Sequence, residues 1–114
     1  MTQLALFLFA SLASPSPKPH AVRTEEQAVT HATAAVQRYR LTSDKPECVI
    51  YEADSEGASW VVRVREKHDP TCGGDPAVEP TLFYLKIRKR DGHTTTDRDT
   101  DDGSFQSLKI EQQP

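Results

Sequence analysis

The sequence contains no asparagine, and it has only two cysteines, Cys48 and Cys72, in 114 residues. Without asparagine, the Asn-X-Ser/Thr acceptor of N-linked glycosylation cannot occur. The two cysteines are not part of a CxxC pair and have no suitably spaced histidines, so a zinc site is not expected. Lys and Arg number 14 against 17 Asp and Glu. The resulting net charge of −3 argues against a general nucleic-acid binder.

Long apolar runs are also missing, except for one at the N-terminus. Residues 4–9 are apolar, and Ser11 and Ala13 give the small-x-small pattern of a signal-peptidase site. We therefore expect residues 1–13 to be a signal peptide, although no Lys or Arg precedes the run and a frayed apolar N-terminus is the alternative. The run is too short to cross a bilayer, so no integral membrane segment is expected after cleavage and the protein should be periplasmic or secreted.

After the signal peptide, the sequence predicts a leader, a domain and a tail. Residues 14–22 are Pro-rich and predict an extended leader without core contacts of its own. Residues 23–99 predict one α+β domain. Residues 100–114 form a tail that either docks as an extra strand or stays mobile.

The domain begins with a predicted helix. Thr24 and Gln27 form a capping-box pattern, and Arg38 and Arg40 lie in the last turn, where the helix dipole favours cations. Small apolar residues then recur at a spacing of three and four, which predicts a helix face that packs closely on a sheet. They are Ala28, Val29, Ala32, Ala35, Val36 and Tyr39.

The period then changes to two, which predicts four antiparallel strands in a meander at residues 48–53, 59–67, 81–90 and 93–99. Residues 54–57 and Asp91-Gly92 have the composition of tight turns. Alternate residues of the first three strands are apolar and should face the helix. They are Val49, Tyr51, Ala53, Trp60, Val62, Val64, Phe83, Leu85 and Ile87. The fourth strand has no large apolar residue, which is typical of a polar edge.

The two cysteines predict one disulfide. Cys48 begins the first strand, and Cys72 lies in the long loop between the second and third strands. In an exported protein this bond is favoured over a pair of free thiols. It contributes about 3 kcal/mol in the chain-entropy model. The bond also argues against a thiol nucleophile assisted by His68 and Asp69, because the thiol is consumed.

The order of these elements resembles that of small secreted PepSY-like domains over residues 25–97. The segments that carry the resemblance are A-V-x-x-A-x-A-A-V, W-V-V-R-V-R and L-F-Y-L-K-I-R-K-R-D-G-H-T-T-T-D. PepSY-like domains have a short link between the second and third strands, whereas this chain has a long loop with C-G-G-D-P. That loop is similar to one in small uncharacterised proteobacterial periplasmic proteins. The resemblance implies a protein that binds or restrains a partner, often a peptidase, with no catalytic residues.

Two surfaces are candidates for binding a protein partner. One is the loop of residues 68–80, hereafter the disulfide loop, because a constrained loop loses little entropy on binding. Its candidate contact residues are His68, Asp69, Gly73, Gly74 and Asp75.

The other candidate is the outward face of the second and third strands, hereafter the cationic set. It consists of Arg63, Arg65, Lys67, Lys86, Arg88 and Arg90, with Tyr84 and Val61 as apolar anchors. A two-residue turn at Asp91-Gly92 places Lys86 opposite Asp97 and Arg88 opposite Thr95. An ordinary solvated sheet face is the alternative interpretation.

No catalytic or metal signature is present. Residues 97–103 begin like a calcium loop, but the sixth position is Asp102 instead of Gly and the twelfth is Leu108 instead of Glu. G-x-S-x-G and H-E-x-x-H are absent. We therefore expect no cofactor and no enzyme activity, and a function as a small exported binding or inhibitory protein. The alternative is an envelope-associated structural protein that binds anionic material through the cationic set.

Overall fold

The computed structural model describes residues 21–108, which form one helix and one antiparallel sheet of five strands. The predicted α+β class is confirmed, with five strands instead of four. In chain order the elements are α1 Glu25–Arg38, β1 Val49–Glu56, β2 Ser59–Glu66, β3 Thr81–Arg88, β4 Thr94–Thr96 and β5 Gln106–Ser107. The predicted signal peptide, residues 14–20 of the leader and residues 109–114 of the tail lie outside the described residues.

Helix α1 has a defined hydrogen-bonded cap at each end. At the start, Thr24 Oγ1 accepts from the Gln27 N–H at 3.1 Å, and Gln27 Oε1 accepts from the Thr24 N–H at 3.3 Å, which is the predicted capping box. At the end, Arg40 takes a left-handed φ of 51°, and the Leu41 N–H donates to the Val36 carbonyl at 3.0 Å. This Schellman arrangement ends the helix before Arg40.

The predicted core face of the sheet is confirmed. Strand pairing places Val62 opposite both Ala53 and Leu85, and Trp60 opposite Ile87. Val62, Leu85 and Ile87 are completely buried. Ala28, Ala32 and Val36 of the helix belong to the same core cluster. Burial of this apolar face drives the helix against the sheet.

The first hairpin is longer and tighter than predicted. β1 extends to Glu56, which pairs with Ser59, so the turn consists of Gly57 and Ala58 alone. The predicted turn at residues 54–57 is therefore wrong. Gly57 has a φ of 63°, the left-handed conformation that two-residue hairpins need.

The second hairpin is wider than predicted, and its register differs by two residues. β3 ends at Arg88 instead of residue 90, and Lys86 pairs with Thr95 instead of Asp97. The Arg88 guanidinium binds both carboxylate oxygens of Asp91, at 2.8 and 2.6 Å, and this contact lies inside the turn. Asp91 is therefore a partner of the preceding strand, and residues 89–92 form a longer connection than a two-residue turn.

The prediction that residues 14–22 make no core contacts is wrong for Val22. Its side chain is 2% exposed and belongs to the core. Its N–H donates to the Lys89 carbonyl at 2.7 Å, and its carbonyl accepts from Trp60 Nε1 at 3.1 Å. A buried indole N–H needs an acceptor, and Val22 provides it.

The tail docks in part. β5 pairs with β4 through Thr95 and Ser107 and forms the fifth strand. Leu108 packs against the core, and Phe105 lies 5.2 Å beneath the Lys86 ammonium. Among residues 21–108, no helix is long and apolar enough to cross a membrane.

We predict that Leu85→Ala lowers the free energy of unfolding by about 2–5 kcal/mol, because it leaves a cavity at a fully buried position. Urea denaturation measures the change. Val61→Ala on the half-buried outer face is the matched control and should cost clearly less. Equal losses would contradict the assignment of the core to the helix-facing side.

Candidate functional site

The disulfide loop is tied to the sheet by a covalent bond. Cys48 and Cys72 are bonded, with their Cα atoms 5.6 Å apart, as the sequence predicts. Cys48 ends a short 3₁₀ turn, Pro46–Cys48, immediately before β1, and its carbonyl accepts from the Lys67 N–H at 2.8 Å. The middle of the loop is therefore fixed against the start of the first strand.

The first half of the loop is folded around Asp69. Its Oδ1 atom accepts from the N–H groups of Thr71 at 2.9 Å and Cys72 at 2.7 Å. Its carbonyl accepts from the Gly73 N–H at 2.7 Å. The bonds from the Cys72 and Thr71 N–H groups stabilise the carboxylate and lower the pKa of Asp69. The Asp69 carboxylate therefore stabilises the conformation of the loop.

The second half of the loop presents an apolar side chain on a β-turn. The Val78 N–H donates to the Asp75 carbonyl at 3.0 Å, and Asp75 Oδ1 accepts from the Ala77 N–H at 3.0 Å. Asp and Pro at the first two positions, here Asp75 and Pro76, favour such a turn. Val78 is 51% exposed and is the exposed large hydrophobic residue of the described chain. Sequence analysis missed it, although an apolar residue directly after an Asp-Pro turn start is a usable signal.

His68 clasps the two halves together, and its side chain is only 13% exposed. Its Nδ1 atom lies 2.9 Å from the Asp75 carbonyl oxygen, and its Nε2 atom lies 2.7 Å from Glu66 Oε1. Gly74 makes room for the ring, because a Cβ there would lie 2.6 Å from it. Gly74 also has a φ of 80°, so two separate constraints require glycine.

The partners of His68 favour its charged form. A carbonyl oxygen only accepts, so Nδ1 donates to Asp75, and Nε2 donates to the Glu66 carboxylate. The hydrogen bond with Glu66, followed by the one with Asp75, raises the pKa of His68. The same bond from His68 lowers the pKa of Glu66. The geometry therefore favours an imidazolium opposite a carboxylate.

Asp44 adds a second acid to this clasp. Burial, and then the hydrogen bond with Glu66, raises the pKa of Asp44. Its Oδ2 atom is buried and receives no hydrogen bond from the described residues. Asp44, Glu66 and His68 thus connect the segment after α1 to the disulfide loop.

The arginines of β2 in the cationic set are paired with carboxylates. Arg65 lies 2.8 Å from Glu52 and 3.1 Å from Glu79. Arg63 lies 3.9 Å from Glu52, which is its cross-strand neighbour, and donates through Nε to Thr81 Oγ1 at 2.6 Å. Three outward positions of β1, Glu52, Asp54 and Glu56, are acidic, and this alternation is the sequence signal that predicts partners for the arginines of β2.

The remaining cations also have partners. Arg88 and Arg90 lie 2.6 and 3.9 Å from Asp91, and Lys67 lies 3.5 Å from Asp69. The Arg88 hydrogen bonds, followed by the bond from the His93 N–H, hold the pKa of Asp91 well below its usual range. Five of the six cations therefore lie within 4.0 Å of a carboxylate, and the sixth, Lys86, covers the Phe105 ring.

Within residues 21–108 no group of three or more His, Cys, Asp or Glu side chains is arranged to hold a metal ion. Asp97, the first residue of the calcium-like sequence, accepts from the Tyr84 N–H at 2.8 Å instead.

Comparison with family models, curated proteins and solved structures gives no match to this chain. The PepSY-like resemblance stays a prediction.

The clasp predicts a pH-dependent stability. Because the folded-state pKa of His68 is raised, its stabilisation is complete below its ordinary pKa of 6.5 and is lost as the pH rises through the folded-state value. The lowered pKa of Glu66 acts oppositely: its stabilisation is present above the ordinary 4.5 and is lost as the pH falls through the folded-state value. We expect urea denaturation from about pH 5 to about pH 9 to show that the free energy of unfolding of the wild type falls above pH 6.5 relative to that of His68→Gln. Parallel curves for the two proteins would refute the charged clasp.

The disulfide predicts a large loss of stability on its removal. The double variant Cys48→Ala and Cys72→Ala should unfold with a free energy lower by about 3 kcal/mol, because the unfolded chain gains the entropy of an open loop. Denaturation of the variant and of the oxidised wild type in parallel measures this. A difference near zero would mean that the loop is held by its hydrogen bonds alone.

Proposed function

We propose that this protein is a small exported, non-catalytic binding protein that restrains a partner protein, such as an envelope peptidase, through the disulfide loop. The observation that carries the proposal is the position of Val78. This exposed apolar side chain lies on a segment fixed by a disulfide, two Asp-centred turns and the His68 clasp. Side chains that fill a desolvated pocket near the centre of a contact supply most of its binding energy, and Val78 is the exposed large apolar side chain that this loop offers.

Order in the free loop supports tight binding. Residues 73–78 are all exposed, yet their backbone is fixed by the Asp69–Gly73 and Asp75–Val78 hydrogen bonds. Each rotamer-rich side chain that is immobilised on binding costs about 0.5–1.5 kcal/mol, and loop ordering adds to that cost. A loop that is already ordered avoids most of the backbone part of this loss.

The loop also defines the chemistry of the partner surface. The Val78 side chain would fit an apolar pocket of the partner. The exposed Asp75 side chain lies three residues before Val78. Glu79, directly after Val78, is already bound to Arg65. We therefore expect a pocket with a cationic or hydrogen-bond-donating rim on one side.

The alternative, attachment to anionic envelope material through the cationic set, has less support. Exposed ion pairs contribute little stability, but each one reduces the positive potential that an anionic polymer would meet. Such attachment would also weaken steeply between low and physiological salt. A contact centred on Val78 should be much less sensitive to salt.

We predict that Val78→Asp lowers the recovery of the partner in affinity capture from an envelope extract by at least about tenfold, because a charge enters an apolar pocket. Thr30→Asp introduces the same charge at an exposed position of α1 outside both surfaces, so it is the matched control and should retain recovery. A triple Arg63→Ala, Arg65→Ala and Arg88→Ala variant tests the alternative. Loss of recovery with the triple variant and full recovery with Val78→Asp would overturn the proposal.

A further inference from the structure

Strand β1 forms a long free edge of the sheet. The strand order places β1 at one end, and among residues 21–108 no strand pairs with its outer side. β1 has eight residues, whereas β5 at the opposite edge has two. Proteins commonly shorten or bulge such edges, but β1 has no proline and pairs with β2 without a register shift.

The hydrogen-bonding phase shows which backbone groups of β1 face outward. The Lys67 N–H donates to the Cys48 carbonyl. The even-numbered residues of β1 therefore exchange their backbone hydrogen bonds with β2. In an antiparallel ladder the backbone N–H and C=O groups of the residues in between face the opposite edge of the strand. The N–H and C=O groups of Tyr51, Ala53 and Ser55 therefore face away from β2, in the spacing that an added strand requires.

The side chains beside this edge are acidic. Glu52, Asp54 and Glu56 alternate along the outer face of β1, and all three are exposed. Glu52 is bound to Arg63 and Arg65, but in the described part of the chain Asp54 and Glu56 have no cation within 4.0 Å. A second copy of β1 would bring acid against acid, which is destabilising. The charge pattern instead matches a basic strand.

We propose that the free edge of β1 accepts an extended basic segment of a partner protein as an added strand. Its backbone would bond to Tyr51, Ala53 and Ser55, and alternate Lys or Arg side chains would face Asp54 and Glu56. This contact does not depend on the disulfide loop, so it stands or fails separately from the proposed function.

A short peptide tests the edge directly. We use acetyl-KVKTKVK-amide and the isotope-labelled, disulfide-bonded full chain, with the same peptide carrying Glu for Lys as control. The basic peptide should shift the amide signals of Tyr51, Ala53 and Ser55 and slow their hydrogen exchange by about tenfold. Binding should weaken with salt. Equal effects of both peptides, or shifts confined to residues 68–80, would overturn the proposal.

A proline at Ser55 separates the edge from the rest of the fold. Ser55 pairs with Trp60 at a position that exchanges no hydrogen bonds with β2, so Ser55→Pro removes an outward donor and leaves the ladder intact. Ser55→Ala is the matched control, because it also loses the 2.5 Å bond from Lys89 Nζ but keeps the N–H. The proline variant should bind the peptide at least about tenfold more weakly than the alanine variant. Equal affinities would refute the edge contact.

A charge variant covers the case in which Ser55→Pro unfolds. Asp54→Lys with Glu56→Lys changes exposed side chains only and should weaken peptide binding by about tenfold or more. Unchanged affinity would refute the charge match. Concentration-dependent dimerisation of the wild type, with exchange protection at Ser55 in the absence of peptide, would show that a second copy occupies the edge and would also overturn the proposal.

Discussion

The bond between Cys48 and Cys72 joins two segments that the hydrophobic core does not hold together. The core lies between α1 and the inner face of the sheet, and the exposed part of the disulfide loop lies outside it. Once the sulfur atoms are joined, the disulfide holds the loop ends together, so local contacts no longer have to offset the entropic cost of loop closure. Weak local contacts can then determine the shape of the loop. The turn at Asp69 and the bond from His68 to Glu66 lie within the closed ring of residues 48–72, and the turn at Asp75 follows directly after it. The shape of the disulfide loop therefore depends on interactions that are separate from core packing.

Much of the fold follows from periodicity. The helix cap at Thr24, the inward residues of three strands and the cysteine pair are local patterns, and local physics decides them. The register of the second hairpin was not predictable in this way, because Asp91 lies in a four-residue connection, where its carboxylate binds the Arg88 side chain, and not in a two-residue turn. Val22 was misassigned for a similar reason: its neighbours suggest a leader, while a distant Trp60 needs its carbonyl. Each error involves a side chain whose partner the local pattern does not name.

The positions of the two candidate surfaces were predictable from the sequence, but the charge balance of the cationic set and the packing of the disulfide loop were not. Alternation correctly placed Arg63 and Arg65 on one face, but their charge balance depends on Glu52 across the sheet and Glu79 in the loop. A set that looks cationic along two strands is a mixed network in three dimensions. In the sequence Gly74 is a candidate contact residue, whereas in the structure it has a φ of 80° and makes room for the His68 ring. The requirement for glycine at this position becomes visible only in the folded loop.

Trp60 is the single tryptophan of the chain, and it lies 8% exposed in the core, with Lys89 5.0 Å above its ring and Val22 bound to its nitrogen. The tryptophan fluorescence of this protein consequently reports on whether the hydrophobic core is folded. An event limited to the disulfide loop should leave that emission unchanged, so a spectroscopic probe for such events has to be placed on the loop itself.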